Sequence, residues 1–116
     1  MGAPEIEHYN FGRIRIDGDE YSNDVIIHPD RVESDWWREE GHSLVMDDLQ
    51  TVMQDSPRTL VIGRGAYSRM DVPDETQKAL EEAGVEVLSA STSEAVKMYN
   101  EMREKGDVVA ALHLTC

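Results

Sequence analysis

The residues of this chain best suited to chemistry are two glycines that flank an arginine, Gly63-Arg64-Gly65. They follow an apolar run at residues 59–62, as a loop at the end of a buried strand would. Closely spaced glycines let backbone amides turn toward an anion, and Arg64 adds a fixed positive charge. The dinucleotide-binding pattern G-x-G-x-x-G is incomplete, because Ser68 stands at the third glycine position. The segment therefore predicts a tight structural turn, with anion binding as the alternative.

Serine, cysteine and histidine side chains form a second candidate, a nucleophilic site. Neither Ser68 nor any other serine lies in the G-x-S-x-G turn that exposes a hydrolase nucleophile. A neighbouring imidazolium activates a thiol, so Cys116 with His113 or His42 is the alternative nucleophile. Catalytic sets are defined by geometry, and the spacing of these residues brings none together. We therefore predict no catalytic residue.

Metal-ligating residues are few in this sequence. Its four histidines and one cysteine never form C-x-x-C or H-x-x-x-H, and the H-x-x-C at residues 113–116 is too short a motif to predict a metal site. A single cysteine cannot form an internal disulfide, which is typical of a reducing cytoplasm. We therefore expect no metal, no cofactor and a cytoplasmic location.

Charge is the strongest deviation in composition. The chain has 24 acidic and 11 basic residues, a formal net charge of −13. Such a field repels polyanions, which argues against nucleic acid and anionic membrane surfaces as partners. No apolar run approaches the roughly 20 residues needed to cross a bilayer. The acidic surface predicts either adaptation to a salty cytoplasm, where counterions screen self-repulsion, or simply good solvation.

The length of 116 residues is typical of one domain, and no linker-like tract or internal repeat divides the chain. Residues 1–9 are polar, and we expect them to be loosely held. Alternating apolar positions predict a strand at residues 11–16. Asp17-Gly18 then predicts a tight turn into a second strand at residues 21–28, so the two form a hairpin.

Two adjacent tryptophans, Trp36 and Trp37, follow a possible short strand at residues 31–33. Neighbouring side chains on an extended segment point to opposite sides, so we expect one indole in the core and the other exposed.

The remaining sequence alternates between helical and strand-like segments. Apolar residues at helical spacing predict a first helix from Met46 or Asp47, and Ser91 with Glu94 forms a capping box at the start of the third. Alternation of this kind indicates an α/β layered fold. The predicted helices begin near residues 46, 74 and 91, and the predicted strands are 59–62, 85–88 and 108–114.

Four short motifs together resemble a known family. They are W-x-R-x-x-G-H at residues 36–42, V-I-G-x-G at 61–65, T-x-E-A-x-x-x-Y-N at 92–100 and A-A-L-H-L-T-C at 110–116. The chain resembles the small Mth-domain proteins of unknown function, a family related to the human adipogenesis-associated Mth-domain protein and to mitochondrial complex I assembly factor three. The resemblance covers nearly everything from Phe11 to Cys116.

The resemblance implies a three-layer α/β fold with a central mixed sheet, an N-terminal β-hairpin and no established enzymatic activity. Together with Arg64 from the glycine segment, the residues that match the family's recurring positions are the candidates for a shared pocket: Arg38, His42, Gly63, Gly65, Glu94, Asn100, His113 and Cys116.

We expect a single 1–116 domain that acts as a soluble, non-enzymatic binding or assembly module, with a protein as its partner. The alternative is a small enzyme, or an anion or metabolite binder, that uses a crevice at Gly63-Arg64-Gly65. The sequence predicts no oligomeric state.

Overall fold

Eight strands and three α-helices make up residues 3–116, the part of the chain that the computed structural model describes; Met1 and Gly2 lie outside it. Two 3₁₀ turns, Met46–Leu49 and Arg103–Lys105, lead into the first helix and out of the third. The strands are β1 (Ile6–Asn10), β2 (Arg13–Ile16), β3 (Asp19–Tyr21), β4 (Val25–His28), β5 (Arg31–Glu33), β6 (Thr59–Arg64), β7 (Glu86–Ala90) and β8 (Val108–His113), and the helices are α1 (Gln50–Asp55), α2 (Asp74–Glu82) and α3 (Thr92–Met102).

A five-stranded mixed sheet forms the centre of the molecule, in the order β5-β4-β8-β6-β7. The strands β8, β6 and β7 run parallel, whereas β4 runs antiparallel to β8 and to β5. All six residues of β8 are buried, as expected for a strand that is covered on both faces. In register, Gly63 lies opposite Leu112 and Arg64 opposite His113.

Alternate residues of the central strands enter two separate cores. One core lies against α3 and a small sheet of order β1-β2-β3. The other lies against α1, α2 and the irregular segment before α1. The central strands thereby contribute Val25, Ile27, Val61, Ala110 and Leu112 to the first core, and Ile26, Leu60, Ile62, Val109 and Ala111 to the second.

This arrangement confirms the predicted α/β fold with a central mixed sheet and an N-terminal hairpin. The turn at Asp17-Gly18 has positive φ at both residues, 49° and 85°, as a tight hairpin turn requires. The side chain of Ser91 caps α3 by accepting a hydrogen bond from the amide of Glu94 at 3.4 Å. Trp36 is 5% exposed and Trp37 is 79% exposed, so one indole lies in the core, as predicted.

The prediction of one strand at residues 21–28 is wrong. The polar residues 22–24 interrupt it, so β3 pairs with β2 in the small sheet while β4 pairs with β8 in the central sheet. All four residues of β4 are buried, a pattern that a strand in a one-sided hairpin could not satisfy.

The N-terminal segment also differs from the sequence interpretation, which assigned no element to residues 1–9. Residues from Ile6 onward form β1, antiparallel to β2. The amide side chain of Asn100 holds this strand, since its Oδ1 accepts from the Ile6 amide at 3.0 Å and its Nδ2 donates to the Ile6 carbonyl at 2.7 Å.

Among the helices of residues 3–116 the longest has 11 residues, and none has the length and apolar character needed to cross a bilayer.

Candidate functional site

The irregular segment between β5 and the first 3₁₀ turn packs across the end of β8. Trp36 anchors it, because its amide donates to the Asp24 carbonyl at 2.8 Å and its indole Nε1 donates to the Asp48 carbonyl at 2.9 Å. With Trp36 fixed, Arg38 is held against His113, and its Nη2 lies 3.0 Å from His113 Nδ1.

Asp24, Arg38 and His113 form a cluster of polar side chains, which we call the Asp24 cluster. Asp24 Oδ2 accepts from Arg38 Nη1 at 2.7 Å and lies 2.8 Å from His113 Nδ1. The second carboxylate oxygen, Oδ1, accepts from the Leu114 amide at 2.8 Å. Asp24 precedes β4 and His113 ends β8, so the antiparallel pairing of these two strands brings the side chains together.

The Asp24 cluster carries paired charges. Burial by itself would raise the pKa of the Asp24 carboxyl group, but hydrogen bonds from His113, the Leu114 amide and Arg38 outweigh it and hold that pKa below its usual range. The guanidinium of Arg38 also donates to the Gly41 carbonyl at 3.1 Å and lies 4.8 Å from the centre of the Trp36 ring. The positive charge of Arg38 is therefore already neutralised by a carboxylate and stacked on an indole.

Two buried nitrogen atoms of the cluster have no hydrogen-bond partner within residues 3–116: Arg38 Nε and His113 Nε2. The two side chains are 5% and 8% exposed. Buried polar atoms are almost always paired in folded proteins, because an unpaired one loses its hydration without compensation. Two such atoms in one cluster indicate a place that a bound molecule would complete.

The cluster borders a cavity of about 290 Å³, which we call the tryptophan cavity. Its lining joins one exposed indole, that of Trp37, to the largely buried side chains of Arg38 and His113. The lining includes Asp24, Trp36, Trp37, Arg38, Gly41 and His113.

Comparison with known proteins places the chain in a family. The family described as proteins of unknown function, DUF498/DUF598, matches residues 6–113. The chain belongs to this family. A conserved hypothetical protein from Pyrococcus horikoshii OT3 is 28% identical, with a TM-score of 0.82 over 97% of this chain and 99% of that one.

Two further structures share the fold of this DUF498/DUF598 protein. An outer membrane protein from Bartonella henselae is 24% identical, with a TM-score of 0.83 over 99% of this chain and 98% of its own. A Mth938-like domain from Bordetella pertussis is 20% identical, with a TM-score of 0.77 over 96% of this chain and 85% of its own. These two likenesses show the fold alone. Together with the family match, the Mth938-like fold of the second confirms the predicted resemblance to Mth-domain proteins.

Of the residues predicted to share a pocket, Arg38 and His113 meet in the Asp24 cluster. His42 lies beside them on the surface, with its ring centre 6.3 Å from that of His113. The motif W-x-R-x-x-G-H thus places its arginine against the histidine of A-A-L-H-L-T-C. The sequence interpretation missed Asp24, the residue that joins the two, because it lies in no motif.

The Gly63-Arg64-Gly65 segment is closely packed rather than open. Gly63 and Arg64 belong to β6, which extends two residues beyond the predicted strand end. A Cβ atom on Gly63 would lie 2.9 Å from side-chain atoms of Leu112 and Thr92, and one on Gly65 would lie 2.5 Å from the backbone of Cys116. Both glycines therefore allow neighbouring backbone and side-chain atoms to approach the main chain more closely than a Cβ atom would permit.

Arg64 is also engaged within the protein. Its Nε donates to the Met70 carbonyl at 2.8 Å, across the turn that follows β6. This bond links the two ends of the turn at residues 64–70.

The other predicted pocket residues lie apart from the tryptophan cavity. Glu94 is an exposed residue in the first turn of α3. Asn100 holds β1, as described above. Cys116 lies against Gly65, and its carbonyl accepts from the Arg69 amide at 3.0 Å.

The chemistry that the tryptophan cavity offers is hydrogen bonding and stacking. Within residues 3–116, no three His, Cys, Asp or Glu side chains converge so as to hold a metal ion. The cavity combines the exposed indole of Trp37 with a carboxylate and an imidazole that hold each other, Asp24 and His113.

Proposed function

We propose that this DUF498/DUF598 protein is a binding module that holds a small organic molecule in the tryptophan cavity. The observation that carries the proposal is a pair of buried nitrogens without a partner among residues 3–116, Arg38 Nε and His113 Nε2, on residues that line a cavity with an exposed tryptophan. Small-molecule sites are concave and mostly apolar, with a few convergent polar groups, and the tryptophan cavity has this composition.

The size of the cavity supports a small ligand. Its volume of about 290 Å³ lies at the lower end of the range for ligand pockets, roughly 300–1,000 Å³. A ligand of one or two rings would fill it. Asp24 holds two of the lining side chains, Arg38 and His113, and such preorganisation lowers the entropy that binding costs.

A thermal-shift screen of metabolites tests the proposal, because a molecule that binds the native state raises the melting temperature by mass action. Compounds that stabilise the wild-type protein would then be tested on Trp37→Ala and, as a matched control, on Tyr67→Ala, which removes another exposed aromatic ring outside the cavity. We expect the stabilisation to persist in Tyr67→Ala and to disappear in Trp37→Ala. Stabilisation that survives in Trp37→Ala, or a screen without any stabilising compound, would contradict the proposal.

An assembly role with a protein partner is the second candidate. The observation in its favour is a pair of exposed aromatic rings, Phe11 and Tyr67, whose centres lie 6.2 Å apart. Aromatic residues are enriched at protein interfaces. In a pull-down from native lysate, a partner retained by wild type and by Trp37→Ala but lost by the Phe11→Ala/Tyr67→Ala double variant would support this role. No capture at any salt concentration would oppose it.

The cytoplasmic location stays part of this proposal. It is supported by the single cysteine and by the acidic composition. Cell fractionation followed by immunoblotting tests it, and recovery of the protein in a membrane or secreted fraction would contradict it.

A further inference from the structure

His113 is held at both its side chain and its main chain. Its Nδ1 lies 2.8 Å from Asp24 Oδ2, and its main-chain oxygen accepts from Thr92 Oγ1 at 2.5 Å. The imidazole therefore cannot turn without breaking the contact with the carboxylate. Its second nitrogen, Nε2, is buried and lacks a partner within residues 3–116.

The neighbours of Nδ1 determine which nitrogen carries the proton. Arg38 Nη2 lies 3.0 Å from Nδ1 and can only donate, whereas the carboxylate of Asp24 can only accept. The pKa of Asp24 is low, so this carboxylate is ionised, and its close approach to a bare Nδ1 lone pair would be repulsive. Nδ1 therefore carries a proton and donates it to Asp24, and Arg38 Nη2 donates to the Gly41 carbonyl rather than to this ring. In the neutral ring this leaves the lone pair on Nε2, which becomes a hydrogen-bond acceptor.

The charge of the site argues against an anionic ligand. Arg38 is the only cation that lines the cavity among the described residues, and its guanidinium already bonds to Asp24 and to the Gly41 carbonyl. The chain as a whole carries a formal net charge of −13. An anion would therefore approach against the field of the protein and meet a guanidinium whose charge is already neutralised by Asp24.

The tryptophans that line the cavity favour a flat, apolar ligand. The face of Trp36 is covered by the Arg38 guanidinium, whereas Trp37 is 79% exposed and its indole is free to stack on a ring.

We propose that the tryptophan cavity takes a neutral, flat, apolar molecule that carries one N–H or O–H group, and that His113 Nε2 accepts the hydrogen bond from that group. This inference rests on the proposed function, because it names the class of ligand for the same cavity. Asp24 acts as a positioning residue: it fixes the tautomer and the orientation of the imidazole.

Three probes of similar size test this ligand class: phenol, toluene and benzoate. Phenol carries an O–H donor, toluene replaces it with a methyl group, and benzoate replaces it with an anion. The dissociation constant of each is measured by titration of amide shifts in ¹H–¹⁵N NMR spectra. We expect phenol to bind about tenfold more tightly than toluene, the worth of one hydrogen bond to a buried acceptor, and benzoate to bind most weakly.

The variant His113→Asn separates the acceptor from the rest of the site. The amide nitrogen of asparagine can take the place of Nδ1 and donate to Asp24, but nothing replaces Nε2. We expect phenol and toluene to bind this variant with about equal dissociation constants. In Trp37→Ala, by contrast, the binding of both probes should weaken by the same factor. The ¹⁵N spectrum of His113 in the wild type provides a readout that does not depend on variants, because phenol should shift the Nε2 resonance and toluene should not.

The outcomes distinguish this inference from the proposed function. Equal binding of phenol and toluene, tighter binding of benzoate, or a preference for phenol that survives in His113→Asn would overturn the ligand class and leave the cavity as a binding site. No binding of any probe at millimolar concentration would contradict both.

Discussion

Two arginines lie near His113, and they differ in what they bind. Arg64, opposite His113 on the neighbouring strand, donates to the main-chain carbonyl of Met70 within a closely packed turn. Arg38 pairs with the carboxylate of Asp24 beside a cavity and keeps a buried nitrogen that has no partner in the described part of the chain. The glycine segment around Arg64 has the more familiar sequence pattern, yet the unsatisfied polar atoms lie at Arg38. The glycine motif thus marks a closely packed turn, whereas the candidate site is formed by contacts between residues that are distant in the sequence.

Removal of the Asp24 carboxylate is the largest expected change in this comparison. Asp24→Ala leaves the 5%-exposed guanidinium of Arg38 without its counterion, so we expect the free energy of unfolding to fall by about 4 kcal/mol. Urea denaturation measures this loss. The control is Glu20→Ala, which breaks the exposed Arg13–Glu20 pair, 3.6 Å apart, and should cost less than about 0.5 kcal/mol. Similar losses in the two variants would refute the view that the Asp24 cluster is a buried ion pair.

The glycine segment should respond to added bulk rather than to lost charge. Gly65→Ala places a Cβ 2.5 Å from the Cys116 backbone at a φ of +104°, and we expect a loss of about 3 kcal/mol in the free energy of unfolding. Gly84→Ala is the matched control. Its φ is also positive, +86°, but the space around it is open, so the expected loss is about 1 kcal/mol. Equal losses in urea denaturation would mean that close packing at residue 65 is not the reason for its glycine.

The pH dependence of stability tests whether the charge of the Asp24 carboxylate stabilises the fold. Because the folded pKa of Asp24 lies below its unfolded value, its ionised form stabilises the fold above the usual carboxyl range, and this contribution disappears as pH falls through the folded pKa. The stability advantage of wild type over Asp24→Asn should therefore shrink as pH is lowered from about 6 to about 2. Urea midpoints for the two proteins at each pH measure it. A constant difference would show that the hydrogen bonds, rather than the charge, provide the stabilisation.

The salt dependence of stability tests the acidic surface outside both regions. Here we expect the smallest change in stability per charge. If the net charge of −13 reflects adaptation to a salty cytoplasm, the urea midpoint should rise between about 0.1 and about 3 M potassium chloride, because counterions screen self-repulsion. No gain in stability with salt would leave good solvation as the explanation of the acidic surface.

Local sequence signals predicted most of the fold. The apolar runs of β6 and β8, the capping box at Ser91 and the positive-φ turn at Asp17-Gly18 each depend on neighbours within a few residues. The break between β3 and β4 was missed, because the apolar run that follows residues 22–24 pairs with β8, which lies more than eighty residues further along the chain. Which sheet a strand joins is decided by such tertiary pairing and not by its own composition.

The candidate site was predictable only in part. Motifs that resemble those of the Mth-domain family placed Arg38 and His113 among the candidate residues. Asp24, which connects them, is 89 residues from His113 in the sequence and carries no local signal of its role. Its partners are fixed only when β4 and β8 pair. The same motifs placed Glu94 and Asn100 in the pocket. In the structure Glu94 lies in the first turn of α3, and Asn100 forms hydrogen bonds with Ile6 of β1.

The central claim is that the tryptophan cavity, and not the glycine segment, is the binding site. The most direct test is a map of ¹H–¹⁵N shift changes along the chain during titration with phenol. We expect the largest changes on the indole N–H of Trp37 and on the amides of Arg38 and His113. Largest changes at Gly63-Arg64-Gly65, or changes scattered over the surface without saturation, would contradict it.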